Sequence, residues 1–239
     1  MKEKNIQEYL QDSLNSKVDR KKFIKYTAIS GGALLLGLEA CKKSSNPTTS
    51  NSITDVGGGD IGILNFAYAL EQLEASFYIK VNASFYNGAT TAEKQILTDI
   101  MNHEITHRDF LKAALGTSAI GQLQTDFSSV DFTSRSSVLG TAKALEDTGV
   151  SAYNGAGQYI QSGDYLTLAG KIVSVEARHA SAIRDLLNPK SPDFAGDDVV
   201  NPTTGLDFSR TPNSTTGGPS IVATANTFLK TKISANHLP

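Results

Sequence analysis

The chain has 239 residues, 39% of them hydrophobic, and a formal net charge of -2. That is enough for one sizeable domain with accessory segments, and so even a charge balance gives no electrostatic footing for nucleic acid. Trp is absent and Cys occurs once, which excludes a disulfide framework and any cysteine-based zinc or iron–sulfur site.

Residues 1–41 read as an export signal. Residues 1–19 are polar, Arg20-Lys21-Lys22-Phe23-Ile24-Lys25 is basic, and an apolar, small-residue run from Tyr26 through Leu38 ends in Leu38-Glu39-Ala40-Cys41. A basic region, a short apolar core and small residues at the cleavage point make such a signal, and the run is too short for a stable membrane span. Leu-x-Ala-Cys resembles the lipobox of bacterial lipoproteins. It implies cleavage before Cys41, lipidation of that residue and anchorage to a membrane on the periplasmic side of the cell envelope. Arg20-Lys21 with Phe23-Ile24-Lys25 resembles a twin-arginine signal without its second arginine, which leaves both export routes open. Residues 42–59 are dominated by Ser, Thr, Asn, Gly and Pro, too poor in apolar side chains to bury a core, and read as a flexible tether.

Residues 60–187 carry four amphipathic stretches. In the first, Asp60 is the expected cap, and Ile63, Ala67, Leu70, Glu74, Phe77 and Val81 recur at alternating spacings of four and three, with Leu64, Glu71 and Tyr78 beside them. This helix presents two carboxylates on its inner face and is expected to stop at Asn87-Gly88. Thr90-x-x-Glu93 is a capping box for a second helix that runs to Leu115 and ends at Gly116. Its inner stripe holds Ile96, Ile100, Glu104, His107 and Leu111; His103 lies beside it with no acid at ligand spacing. Residues 116–133 suffice to cross from one end of a bundle to the other, so a long connection joins helices 2 and 3.

The third helix is expected from about Ser134 to Ile160, with Gly149, Gly155 and Gly157 marking close packing between helices. Ser162-Gly163-Asp164 turns the chain into a fourth, which carries Leu168, Ile172, Val175, Glu176, His179, Ile183 and Leu186 on one side and ends at Asn188-Pro189. Residues 188–239 form an irregular extension in which Ser220–Leu229 is a candidate short helix docking on the bundle. The fold class is all-α.

Two of the four histidines stand in the same motif, Glu104-Ile105-Thr106-His107 and Glu176-Ala177-Arg178-His179. Residues three apart share a helical face, so each pair can offer a carboxylate oxygen and an imidazole nitrogen to one point. Four-helix dinuclear carboxylate sites add one further Glu from each of the other two helices. An internal repeat supplies candidates: Ala69-Leu70-Glu71 with Tyr78 seven residues after the Glu, and Ala144-Leu145-Glu146 with Tyr153 seven after. Seven residues is about two turns, which places each Tyr on its own Glu's face, within reach of a carboxylate. Glu74 offers a second acid on the first helix; the repeat favours Glu71 over it.

Leu64-Asn65-Phe66-Ala67, Leu70-Glu71-x-Leu73-Glu74-Ala75-x-Phe77-Tyr78, Glu104-x-x-His107, Leu145-Glu146-Asp147-x-Gly149-Val150-x-Ala152-Tyr153 and Val175-Glu176-Ala177-Arg178-His179-Ala180 resemble the ferritin-like domain proteins related to plant desiccation-associated proteins. The resemblance covers about residues 60–187 and implies a ferritin-like four-helix bundle with two divalent metal ions, iron or manganese. By it, Glu71 and Glu146 are terminal ligands, Glu104 and Glu176 bridge, His107 and His179 complete the two ions, and Tyr78, Tyr153 and Glu74 stand just outside. The partners implied are metal ions and a small oxidant, with a homodimer allowed. Oxygen, peroxide or iron redox chemistry follows, as a ferroxidase or a peroxide-consuming enzyme; the alternative is an envelope stress-protection or binding scaffold in which metal is structural or absent.

Overall fold

α1 (Gly59–Ala83) is buried on every side from Gly62 to Ala75, which is the burial expected of the central helix of a domain rather than of a surface one. A short link, 84–90, returns the chain as α2 (Thr91–Leu115); α3 (Arg135–Gly157) and α4 (Gly163–Leu187) form a second hairpin. Each hairpin packs along its length, α1 lies on α3, and α2 meets α4 less extensively. The chain is described here by a computed structural model over residues 53–239 other than Asp197, Thr216 and Gly217. The export signal, Cys41 and the tether up to Ser52 lie outside the described residues.

The helix starts show how local sequence sets the frame. The Thr90 hydroxyl accepts from Glu93 N at 3.2 Å and the Glu93 carboxylate accepts from Thr90 N at 2.8 Å, the reciprocal capping box expected of that spacing. Glu93 also accepts from Arg135 Nε at 2.7 Å, and Arg135 donates to Leu186 O at 2.6 Å, so one arginine ties the start of α2 and α3 to the end of α4. Asp60 does not cap α1: Gly58 does, without a side-chain bond. The Asp60 carboxylate instead accepts from Gln161 N and Ser162 N, both at 2.8 Å, and so fastens the α3–α4 turn onto the first turn of α1.

α1 also stops earlier than Asn87-Gly88. Asn82 donates to Tyr78 O and Leu97 O and accepts from the Thr98 hydroxyl, diverting the last turn toward α2, and Tyr86 then turns into the core. The long connection after α2 is laid along α1 by two buried amides two turns apart. Asn65 Oδ1 accepts from Ile120 N at 2.9 Å and Asn65 Nδ2 donates to Ser118 O at 3.0 Å; Gln72 Oε1 accepts from Leu123 N at 2.8 Å. Leu123, Phe127 and Val130 of this connection are buried, which closes the side of α1 that no helix covers.

The C-terminal extension is irregular over much of its length but belongs to the core. Ser220 caps α5 (Ile221–Thr227), which is the expected short helix, and Ile221, Ala225, Leu229, Ile233, Ala235 and Leu238 are buried. β2 (Ile233–Ser234) pairs in parallel with β1 (Thr54–Asp55), and Val56 is 1% exposed, so the last residues read as tether are part of the folded unit. Gly155 makes room for the extension: a Cβ there would lie 2.0 Å from Arg210 O, while Arg210 N donates to Ser151 O. Its packing is against this segment rather than between helices. Gly157 meets nothing and is simply the end of α3, three residues short of Ile160. No helix among the described residues is long and apolar enough to cross a membrane.

Candidate metal centre

The mid-points of the four helices bring six side chains to the bundle axis: Glu71 from α1, Glu104 and His107 from α2, Glu146 from α3, Glu176 and His179 from α4. Glu71, Glu104 and Glu146 are 0% exposed and Glu176 is 1%, values that carboxylates reach only where something compensates their desolvation. They fall into two groups with shared members. Ligand atoms of Glu71, Glu104, His107 and Glu176 all lie within 4.8 Å of one another, and so do those of Glu104, Glu146, Glu176 and His179.

The unpaired atoms decide what these groups fit. His107 Nδ1 lies 2.6 Å from Glu176 Oε1, 3.5 Å from Glu71 Oε2 and 3.8 Å from Glu104 Oε2. His179 Nδ1 lies 2.7 Å from Glu104 Oε1, 3.1 Å from Glu176 Oε2 and 3.5 Å from Glu146 Oε2. Yet His107 Nδ1, both oxygens of Glu104, Glu176 Oε1, Glu71 Oε2 and Glu146 Oε2 are buried without a properly aligned hydrogen-bond partner. Apart from His179 Nδ1 and Glu176 Oε2, which do form a hydrogen bond, these ligand atoms crowd together while missing one another's hydrogen-bond directions, and so are aimed at points between them. The set of carboxylates and imidazoles therefore fits cations on the axis, with an O/N donor chemistry.

Two phenols hold the outer oxygens of the terminal acids. Tyr78 donates to Glu146 Oε1 and Tyr153 to Glu71 Oε1, each at 2.5 Å. The pairing is crossed with respect to the sequence expectation: each Tyr serves the Glu of the other hairpin. A Tyr two turns along shares its Glu's stripe but is displaced about 10 Å along the axis, whereas the facing helix α3 runs beside α1 and offers its Glu at that level. In both acids the oxygen left over is the one facing the axis.

Glu74, 2% exposed, is a fifth acid within the same electrostatic cluster. Its carboxyl packs against α3 at Gly149, where a Cβ would lie 3.1 Å from Glu74 Oε1. Gly149 is the repeat's counterpart of Glu74, three residues after Glu146 as Glu74 is three after Glu71. Glu74 belongs to neither ligand group. His103 is the residue that sequence spacing passed over. Its Nδ1 lies within hydrogen-bond distance, 2.9 Å, of His179 Nε2, so while His179 Nδ1 is turned to the axis, His103 holds the ring's other nitrogen. The available signal was its position one residue before Glu104, on the edge of the inner stripe.

Electrostatics in the metal-free protein reflect this crowding. Burial, then the charges of Glu104, Glu71, Glu146 and Glu176, hold the Glu74 carboxyl well above its ordinary range. Burial and neighbouring acids likewise raise Glu104 strongly, and burial raises Glu146 to about 6 against the opposing pull of His179. Burial alone would lower the His179 imidazole, but Glu104, Glu146 and Glu176 raise it to about 12; His107 is raised in the same way. Glu176 is opposed by burial yet held at about 2 by the two imidazoles. Without cations, protons do the balancing.

A bundle of two helical hairpins with buried carboxylates and imidazoles gathered at mid-height defines a helical protein that can hold metal ions on its axis. Comparison with known families identifies it further: the model of the ferritin-like domain matches residues 59–189, more than half of the chain, and the protein belongs to that family. No curated protein matches it.

Proposed function

We propose that the protein is an exported, membrane-anchored lipoprotein whose bundle holds two divalent ions, iron or manganese, and acts in oxygen, peroxide or iron redox chemistry. The observation that carries this reading is the overlap of the two ligand groups, which share Glu104 and Glu176 and differ in Glu71 with His107 against Glu146 with His179. Glu104 and Glu176 would be held in common by both ions, and Glu71 with His107 and Glu146 with His179 would each complete one.

Bound there, such ions would supply electrons to a small oxidant. The protein's own residues do the rest. Tyr78 and Tyr153 occupy one oxygen of each terminal acid and so fix which oxygen faces inward. Four carboxylates balance two divalent charges, and in the metal-free protein burial and the neighbouring acids hold the Glu74 carboxyl well above its ordinary range. The protons that reside on the imidazoles and acids of the metal-free site must leave as cations enter, so metal uptake releases protons and weakens as pH falls.

The reading of residues 1–41 as an export signal ending at Cys41 favours an envelope location, and the resemblance of the helix motifs to those of desiccation-associated proteins favours a role in stress protection. Metal analysis of protein purified from its own source should return two ions per chain, and Fe(II) oxidation or peroxide consumption should require them. Full folding with neither metal nor turnover would favour the scaffold reading. Mass spectrometry should find a lipidated Cys41 as the mature N-terminus, and an unmodified Met1 would defeat the anchorage.

A further inference from the structure

The two ends of the bundle are filled differently. Beyond the acids toward the end of α1, Phe77, Val81, Leu97, Val138, Leu139 and Ile183 are each 0% exposed. Toward the other end, where α1 and α4 begin and α2 and α3 finish, all four helices surround an apolar cavity. The centre of a water-sized molecule has about 30 Å³ in which to move there, roughly twice the ~10–15 Å³ that one water needs. Its outer rim is made of the partly exposed Phe110, Ala114, Ile160, Tyr165, Leu168 and Ala169, and its inner wall of the buried Phe66, Leu70, Ala152 and Tyr153.

The inner wall is also the wall of the metal centre. Leu70 precedes Glu71 in α1, and Tyr153, whose ring lines the cavity, donates its hydroxyl to Glu71. A cavity with almost no polar lining has nothing to hold water by hydrogen bonds, and such spaces stay dry and take up small apolar molecules. Peroxide would have to leave its hydrogen bonds with water to cross it; dioxygen has none to lose. On the side of α2 away from the cavity's lining, His103 is exposed and the His107 side chain is 11% exposed, so polar groups of the centre's surroundings meet solvent there.

From this geometry we propose that the apolar cavity is a binding and entry site for dioxygen, delivering it to the Glu71–His107 side of the centre, while charged and polar species use the His103–His107 side. The proposal rests on the redox reading above and narrows its oxidant. It concerns passage only and adds no chemical step of its own.

Xenon provides a test that does not depend on metal. Crystals of the metal-free protein under xenon pressure should show one atom between Leu70, Phe110, Tyr153 and Leu168, and Ala114→Leu and Ala169→Leu, each confirmed folded by its Tm, should abolish it. In the iron-loaded protein the same rim substitutions should slow Fe(II) oxidation by dioxygen at least tenfold and leave oxidation by hydrogen peroxide within twofold of wild type. An absence of xenon from the cavity would overturn the proposal, as would rim variants that slow both oxidants equally or neither. Xenon bound in a wild-type protein that oxidises Fe(II) with neither oxidant would instead overturn the redox reading and leave the cavity as a site for small apolar gases.

Discussion

The two hairpins bring nearly the same set to the axis and differ at two positions. α1 and α2 supply Glu71, Tyr78, Glu104 and His107; α3 and α4 supply Glu146, Tyr153, Glu176 and His179. Where the first hairpin has Glu74 the second has Gly149, and where the first has His103 the second has Val175. The matched residues make two equivalent ligand groups, each exchanging a Tyr–Glu hydrogen bond with the other hairpin. The unmatched ones break the equivalence. Glu74 fills the space that Gly149 leaves, and His103 supports His179 but no residue stands in that role for His107 among the described contacts. Symmetry here sets the number of ligand groups, and departures from it set how the two differ.

The shared acids provide the harshest test of the equivalence. Glu104→Ala or Glu176→Ala should reduce metal content from two ions to none, because each acid belongs to both groups and its loss leaves two cations with less charge between them. Calorimetric titration gives the stoichiometry; retention of two ions in either variant would mean that the ions bind elsewhere. His107→Ala and His179→Ala should each weaken one ion and leave about one per chain. His103→Ala should weaken only the ion of His179, by roughly 10- to 100-fold, the usual cost of losing the partner of a ligating imidazole. If both ions weaken together, the asymmetry is structural and not local to His179.

Smaller effects probe the crossed phenols and the fifth acid. Tyr78→Phe and Tyr153→Phe each leave a buried carboxylate oxygen unpaired and should cost ~1–3 kcal/mol in chemical denaturation, the first by disturbing Glu146 and the second Glu71. Metal binding should then change at the ligand group of the opposite hairpin from the mutated Tyr, and an effect on its own hairpin's group would contradict the crossed pairing. Glu74→Gln should alter how stability of the metal-free protein depends on pH. The unfolded chain ionises Glu74 near 4.5 while burial keeps the folded group protonated to higher pH, so from about 4.5 upward unfolding releases a proton and wild-type stability falls as pH rises. Thermal melts between pH 5 and 8 should therefore decline less steeply in Glu74→Gln. Parallel declines would mean that Glu74 is not the acid that carries the proton.

The amino-acid sequence determined whatever repeats at helical spacing. Apolar periodicity and the Thr90–Glu93 box define the bundle, residues 116–133 define its long connection, and the doubled motif picks out six candidate ligands together with Tyr78, Tyr153 and Glu74, because residues on one helical face stay together in any fold that keeps the helix. Tertiary structure alone decided what lies across from what. It turned Asp60 from a cap into a clasp for the α3–α4 turn, crossed the two phenols, set Glu74 against Gly149, placed His103 behind His179 and drew residues 54–56 and the C-terminal extension into the core. These contacts join residues far apart in the chain, and their partners follow from how helices stack and where loops are laid, which no spacing within a single helix encodes.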